Sequence, residues 1–347
     1  MGGNIWKTSV RKDRDDYLNV SSSMENFCSS FLGVKCKVIP AYKNKESFGD
    51  CDILVCSDNL PTDWVNRLTD HFELGPAFWS RNGNVVSFLI KDFQYDLILT
   101  SEKHFDNALE YYSYNDLGNL VGRLTHKLGI KYGHEGMSIV IRSPDDGQHI
   151  LGEIPLLSSE RVNVRTILGL PRNYEFNDLE DIFKFITLSK YFDPEIFLLD
   201  NRSSIAARRD AKRKTYNAFL EWLKETNPAP RYCFANKSER GGYGIREPWF
   251  SEIVLHYWPA DYVLGEMDKL VTRYNFNKAY REVFNGNIVM EMTGLSGKEL
   301  GAFIRFIEKD LTNDTKQAWI NNPQLAKDAI MRTRINIIMN GPKSLTL

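Results

Sequence analysis

Phe48-Gly49-Asp50-Cys51-Asp52-Ile53-Leu54-Val55 reads as a buried β-strand with two acids in it, and Phe93-Gln94-Tyr95-Asp96-Leu97-Ile98-Leu99 repeats the combination with one. A bare carboxylate is costly to desolvate, so acids inside apolar strands demand an explanation. Strand side chains alternate with a period of two, which sets Asp50 and Asp52 on one face and turns Cys51 and Ile53 toward a core. If the second strand pairs beside the first, Asp96 joins them as a third carboxylate. Three clustered carboxylates repel one another unless a cation sits among them. Hard oxygen ligands of this kind suit Mg²⁺, which commonly links one or two carboxylates to substrate phosphates. The pattern points to metal-dependent phosphoryl or nucleotidyl transfer. Ordinary aspartates at a strand end or sheet edge are the competing explanation, which a single acid would favour.

Outward from these strands, residues 34–39 alternate as a strand and 21–31 form a plausible helix. Pro61 and Thr62 open an amphipathic helix through Trp64, Leu68 and Phe72. Asn82-Gly83 marks a turn, and 85–90, Lys91-Asp92 and 93–99 read as a β-hairpin with a tight connection. Leu117, Leu120, Val121 and Leu124 give helical spacing over 115–128, and a second hairpin is expected over 137–142 and 149–156. Beyond residue 157 helical patterns dominate, over 179–192, 204–226, 261–284 and 298–311, with a Gly- and Arg-rich stretch at 238–247. The order predicts an α+β head, 1–156, and a mainly helical tail, 157–347.

The 347 residues suffice for two domains, and 42% hydrophobic with 26% charged content is ordinary for a globular chain. A net charge of −1 gives no global attraction to nucleic acid, so any such binding must come from local patches. Five cysteines without a CxxC pair fit a reducing compartment. Lys7, Arg11, Lys12 and Arg14 arrive with no apolar run behind them, and no uncharged stretch reaches membrane-spanning length. A cytoplasmic protein without membrane partners is the expectation.

Gly49-Asp50-Cys51-Asp52 on one strand and Asp96 on a later one resemble the nucleotidyltransferase superfamily typified by DNA polymerase β, over residues 34–142. The resemblance implies a nucleotidyltransferase-fold mixed sheet flanked by helices and a two-ion mechanism. Asp50 and Asp52 would hold both Mg²⁺ ions, and Asp96 would complete the site as ligand and base for the attacking hydroxyl. That superfamily also grips the triphosphate with a Gly-Ser turn ahead of the first acid. Here the stretch reads Pro40-Ala41-Tyr42-Lys43-Asn44-Lys45-Glu46-Ser47, with Ala41-Tyr42 where Gly-Ser would stand. Tyr42, Lys43, Lys45, Ser47 and Gly49 are the candidate nucleotide contacts, against simple loop solvation for the lysines. Asn119, Arg123 and Lys127 recur every four residues and form a candidate basic wall for the triphosphate, with a solvated helix face as the alternative. The segment 122–134 around them resembles, more distantly, predicted nucleotidyltransferases of bacteriophages.

Arg208, Arg209, Lys212 and Arg213 suit an RNA backbone, against a surface helix laced with salt bridges. Residues 284–290 and Gly294-Leu295-Ser296-Gly297-Lys298-Glu299-Leu300-Gly301 are similar to the tail of bacterial CCA-adding enzymes and poly(A) polymerases. There the resemblance implies a turn that holds RNA, with Lys298 among the contacts; a plain helix–turn–helix packing device is the alternative. The Arg-Asp-Phe and Glu-Asp-x-x-Arg motifs of those families are absent, since Glu180-Asp181-Ile182-Phe183-Lys184 ends in lysine. The function expected is Mg²⁺-dependent, template-independent addition of NMP from ATP or CTP to an RNA 3′ end, tRNA included. A toxin-like transferase acting on a protein or small-molecule hydroxyl, and a non-catalytic RNA-binding protein, are the alternatives.

Overall fold

The computed structural model describes residues 5–145, 149–156, 162–202, 204–234 and 253–340. The chain is α+β, with a mixed five-stranded sheet flanked by helices and a helical C-terminal region. It divides into two compact units, Met1–Val140 with Glu153–Ala260, and Ile141–Gly152 with Asp261–Leu347. The helices between residues 164 and 226 therefore belong with the sheet, and the chain does not part at 156 as its composition suggested. The cause is polar as well as apolar. Lys43 and Asn44 donate backbone N–H groups to the carbonyls of Phe176 and Asn177, and Arg123 donates to the Ile196 carbonyl.

In the first unit, β1 (Lys12–Asp13) leads into α1 (Arg14–Leu32), whose start is capped by the Asp13 carboxylate accepting from the Asp16 N–H. Then come β2 (Cys36–Val38), β3 (Ser47–Phe48), β4 (Asp50–Cys56), α2 (Trp64–His71), β5 (Trp79–Asn82), β6 (Val85–Ile90) and β7 (Phe93–Thr100). The strand order is β2-β4-β7-β6-β5, and only the β4–β7 pair is parallel. Lys91 and Asp92, at φ 49° and 61°, make the two-residue turn of the β6–β7 hairpin. Positive φ at both positions is what a type I′ turn requires.

Alternation along the strands gives the sheet two unlike faces. Cys51, Ile53 and Val55 of β4 and Phe93, Tyr95 and Leu97 of β7 pack with Tyr17, Met24, Cys28 and Leu32 of α1 and with Trp64 and Leu68 of α2. Each such side chain, fully buried, contributes about 1.5–3 kcal/mol. On the other face, Leu54, Cys56 and Ile98 are covered by Phe105 and Ala108 of α3 (Phe105–Tyr112). Asp50, Asp52 and Asp96 share that second face, toward the strand starts, where the apolar cover ends.

The chain continues through α4 (Leu117–Lys127), β8 (Ile130–Gly133), β9 (Gly136–Arg142), β10 (Ile150–Leu156), α5 (Val164–Leu168), α6 (Leu179–Thr187), α7 (Ser204–Asp210), α8 (Lys214–Thr226) and the short α9 (Leu255–Tyr257), with the end of β9 and the start of β10 counted in the second unit. Strands β10-β9-β8 form a separate sheet. The single helix expected over 204–226 is two helices, broken at residues 211–213. The Gly- and Arg-rich stretch 238–247 lies outside the described residues.

The second unit holds α10 (Ala260–Val283, from its second residue), α11 (Gly286–Thr293), α12 (Gly297–Glu308), α13 (Asn313–Asn321) and α14 (Pro323–Asn340), around Tyr280, Phe284, Val289, Phe303, Trp319 and Ile330. Asn285 caps α11 by accepting from the N–H groups of Asn287 and Ile288. Gly294 ends that helix at φ 69°, and Gly297, at φ 54°, opens the next. Among the described residues no helix is long and apolar enough to cross a membrane.

Candidate active site

The register aligns Asp50 with Gln94 and Asp52 with Asp96 across the parallel β4–β7 pair. One carboxylate oxygen from each of Asp50, Asp52 and Asp96 lies within 4.8 Å of the others, and all three side chains are partly exposed. Like charges about 4–5 Å apart repel by roughly 3–4 kcal/mol per pair at an effective dielectric of about 20. Burial, then the neighbouring Asp50 and Asp96, push the Asp52 carboxyl up to about 8. Burial also raises Asp96, opposed by hydrogen bonds from Ser87 and Gln94.

Those last two partners were not anticipated from the sequence. Gln94 Nε2 donates to Oδ1 and Oδ2 of Asp96 at 2.9 and 3.0 Å, from two residues back on the same strand face. Ser87 sits opposite Asp96 on β6. Both are almost fully buried, at 2% and 3% exposure. The signal was present: each is a polar residue inside an otherwise apolar strand.

The candidate nucleotide contacts separate into unlike groups. Lys45 lies close enough to Asp50 and Asp52 to feel both charges, and its ammonium stands 4.6 Å from the Phe48 ring centre. Burial lowers its affinity for a proton, while the two acids raise it. Lys43 pairs at 2.8 Å with Glu175 on the surface. Ser47 accepts from Arg11 Nε at 2.9 Å through its hydroxyl. Tyr42 is partly buried, with Asp178 and Glu46 as its charged neighbours, and Gly49 is buried between β3 and β4.

The basic wall expected on α4 is not built as its spacing suggested. Arg123 is only 6% exposed and donates Nε to the Ile196 carbonyl at 2.6 Å and an Nη2 hydrogen to the Asn201 carbonyl at 3.3 Å. It braces α4 against the short 3₁₀ turn Pro194–Phe197. Asn119 is partly buried, its Nδ2 enclosed without a hydrogen-bond partner, and Lys127 is half-buried at the end of the helix. The four-residue spacing found one face correctly, but that face packs inward.

The candidate RNA contacts divide in the same way. Asp210 is fully buried and draws Arg202 to 2.6 Å, Arg209 to 3.3 Å and Arg213 to 3.8 Å. Arg213 also pairs with Asp116. Arg213 is half-buried between Asp210 and Asp116, whereas Arg208, Arg209 and Lys212 are exposed, Arg209 while also pairing with Asp210. Lys298 is exposed near the start of α12, in the second unit. The Asn-Gly and Gly-x-x-Gly features beside it are the helix cap and turn described above.

No protein-family model matches the chain, and no curated protein matches it either. The chemistry is therefore argued from the site itself. A Mg²⁺ ion fits the donor set: every donor is a hard carboxylate oxygen, and the separations suit shared coordination. Its charge would offset both the burial and the repulsion that raise the Asp52 carboxyl.

Proposed function

We propose that the chain is a Mg²⁺-dependent nucleotidyltransferase that moves NMP from ATP or CTP to a hydroxyl, with an RNA 3′ end as the acceptor. The observation that supports this is the convergence of Asp50, Asp52 and Asp96 from two adjacent parallel strands to within 4.8 Å. Mg²⁺ bound there would supply charge for the triphosphate and for the attacking and leaving oxygens of an in-line displacement. The chain's own part is positional. Gln94 and Ser87 hold the Asp96 carboxylate in place, so that it can accept the proton leaving the acceptor hydroxyl. As that oxygen bonds to the α-phosphorus, the bond to pyrophosphate breaks. Lys45 places a cation beside Asp50 and Asp52, where the phosphates of the donor nucleotide would lie.

A second acceptor class is favoured by one observation. With Arg213 half-buried against Asp210 and Asp116, and Arg209 partly neutralised by Asp210, the patch left for an RNA backbone is reduced, which suits a protein or small-molecule hydroxyl. Incubation with each α-labelled NTP, Mg²⁺ and either RNA or protein separates the two. Label on RNA 3′ ends is the expected result, and label on polypeptide or a small molecule would transfer the proposal to the second class. No transfer with any nucleotide to any of these acceptors would overturn nucleotidyl transfer and leave a binding protein.

A further inference from the structure

We propose that Gln94, beside Ser87, is a positioning residue for Asp96, and that segment 5–13 is part of the active site because it orients Gln94. This rests on the reading of the three acids as an ion site. The segment is tied down along its length. Trp6 Nε1 donates to the Ala77 carbonyl at 2.7 Å, and the Val10 N–H donates to the Asp92 carbonyl at 2.7 Å. β1 then pairs with β3, and Arg11 adds hydrogen bonds to the hydroxyl and carbonyl of Ser47. Asp92 precedes β7 and Ser47–Phe48 precedes β4, so the segment crosses the beginnings of both acid-bearing strands.

At its near end the Ile5 N–H donates to Gln94 Oε1 at 3.2 Å. A primary amide has an acceptor end and a donor end. With Ile5 on the oxygen, the NH₂ group must face Asp96, where it meets both carboxylate oxygens. Gln94 is 2% exposed, so a rotated amide has little access to water to replace either contact. The chain Ile5 to Gln94 to Asp96 thus fixes the third carboxylate against the repulsion of Asp50 and Asp52. In metal sites, partners of this kind that orient a ligand change affinity or activity by about 10- to 100-fold when removed.

Mn²⁺ titration of the EDTA-stripped full chain, followed by electron paramagnetic resonance, tests the inference apart from any transferase assay. Gln94→Leu is expected to weaken Mn²⁺ binding by about 10- to 100-fold, with the melting temperature in EDTA showing that the variant is folded. If it does not fold, Gln94→Asn, which retracts the amide by one methylene, carries the same expectation. Ile5→Pro removes the N–H donor, with φ fixed at that position as its other effect, and should weaken binding by roughly threefold. Added to Gln94→Leu it should do nothing further, because Ile5 acts through that side chain. In turnover the losses should appear in kcat with KM for the nucleotide unchanged. Mn²⁺ binding by the wild type that is unaltered in the folded Gln94 variant would overturn the inference while leaving the ion site standing. An additive double variant would remove segment 5–13 from it. A wild type that binds no Mn²⁺ would overturn the ion site, and this inference with it.

Discussion

The acidic end of the central sheet and the basic stretch around Asp210 are two charge clusters in the first unit, and they are built on opposite plans. Around Asp210, a buried acid is met by arginines from three positions, 202, 209 and 213. Around Asp52, the nearest charges include two further acids, and burial together with those acids drives the Asp52 carboxyl upward. In the first cluster the protein itself supplies the opposite charge. The second has an excess of one sign, which folding alone does not explain. Both places carry several like charges in the sequence, and for the basic stretch a salt-laced surface helix is the commoner reading. What distinguishes them is whether the fold supplies the opposite charge.

The comparison can be broken most sharply by neutralising one acid in each place. Asp52→Asn should lower nucleotidyl transfer by at least about 10³-fold, since an anionic ligand that organises transition-state charge is lost. Its unfolding free energy in EDTA at about pH 8.5 should not fall, because a repelled carboxylate has been removed. Asp210→Asn should do the reverse, costing about 3–5 kcal/mol in urea denaturation because buried arginine charge is left uncompensated. A large loss of stability from the first variant, or none from the second, would erase the distinction.

A smaller effect sharpens it through pH. The folded, metal-free chain keeps the Asp52 proton up to about 8, whereas an unfolded aspartate releases it near about 4. Between those values the folded state binds more protons. The group's contribution to stability is therefore present in acid and is lost as pH rises through about 8. Mg²⁺ requires the ionised form, so it should raise Tm more at about pH 8.5 than at about pH 6, by roughly 2–4 °C in calorimetry. An increment that is equal at both pH values would count against a shared site. The smallest effect belongs to the exposed cations. Arg208→Ala and Lys212→Ala should each weaken RNA binding only two- to threefold, about the size of a surface phosphate contact, and flatten its salt dependence. A loss of tenfold or more from either would mark a built RNA site.

The acid-bearing strands were legible because their periodicity and their chemistry agree. Asp50–Cys56 was bounded correctly, and the Lys91-Asp92 turn placed Asp96 on a strand that could return beside it. Helix 115–128 was also legible as α4, yet the role of Arg123 was not. Its burial depends on the turn at 194–197, which lies far along the chain and leaves no mark in the local pattern. Arg209 and Arg213 misled for the same reason, since no spacing rule reveals that the intervening Asp210 is enclosed. Gln94 differs from these cases. A buried glutamine two residues before an acid on the same strand face is a local signal, and it went unread.

Side chains on a strand point up and down in turn, so the meeting of Asp52 with Asp96 allows no intermediate settings. A slip of one position between β4 and β7 would bury Asp96 in the greasy layer beneath the sheet and bring Tyr95 up in its place. The three-acid cluster is consequently either fully assembled or missing. Inserting one amino acid ahead of residue 96 within β7 should abolish it outright, whereas lengthening the connection between β4 and α2 should leave it intact.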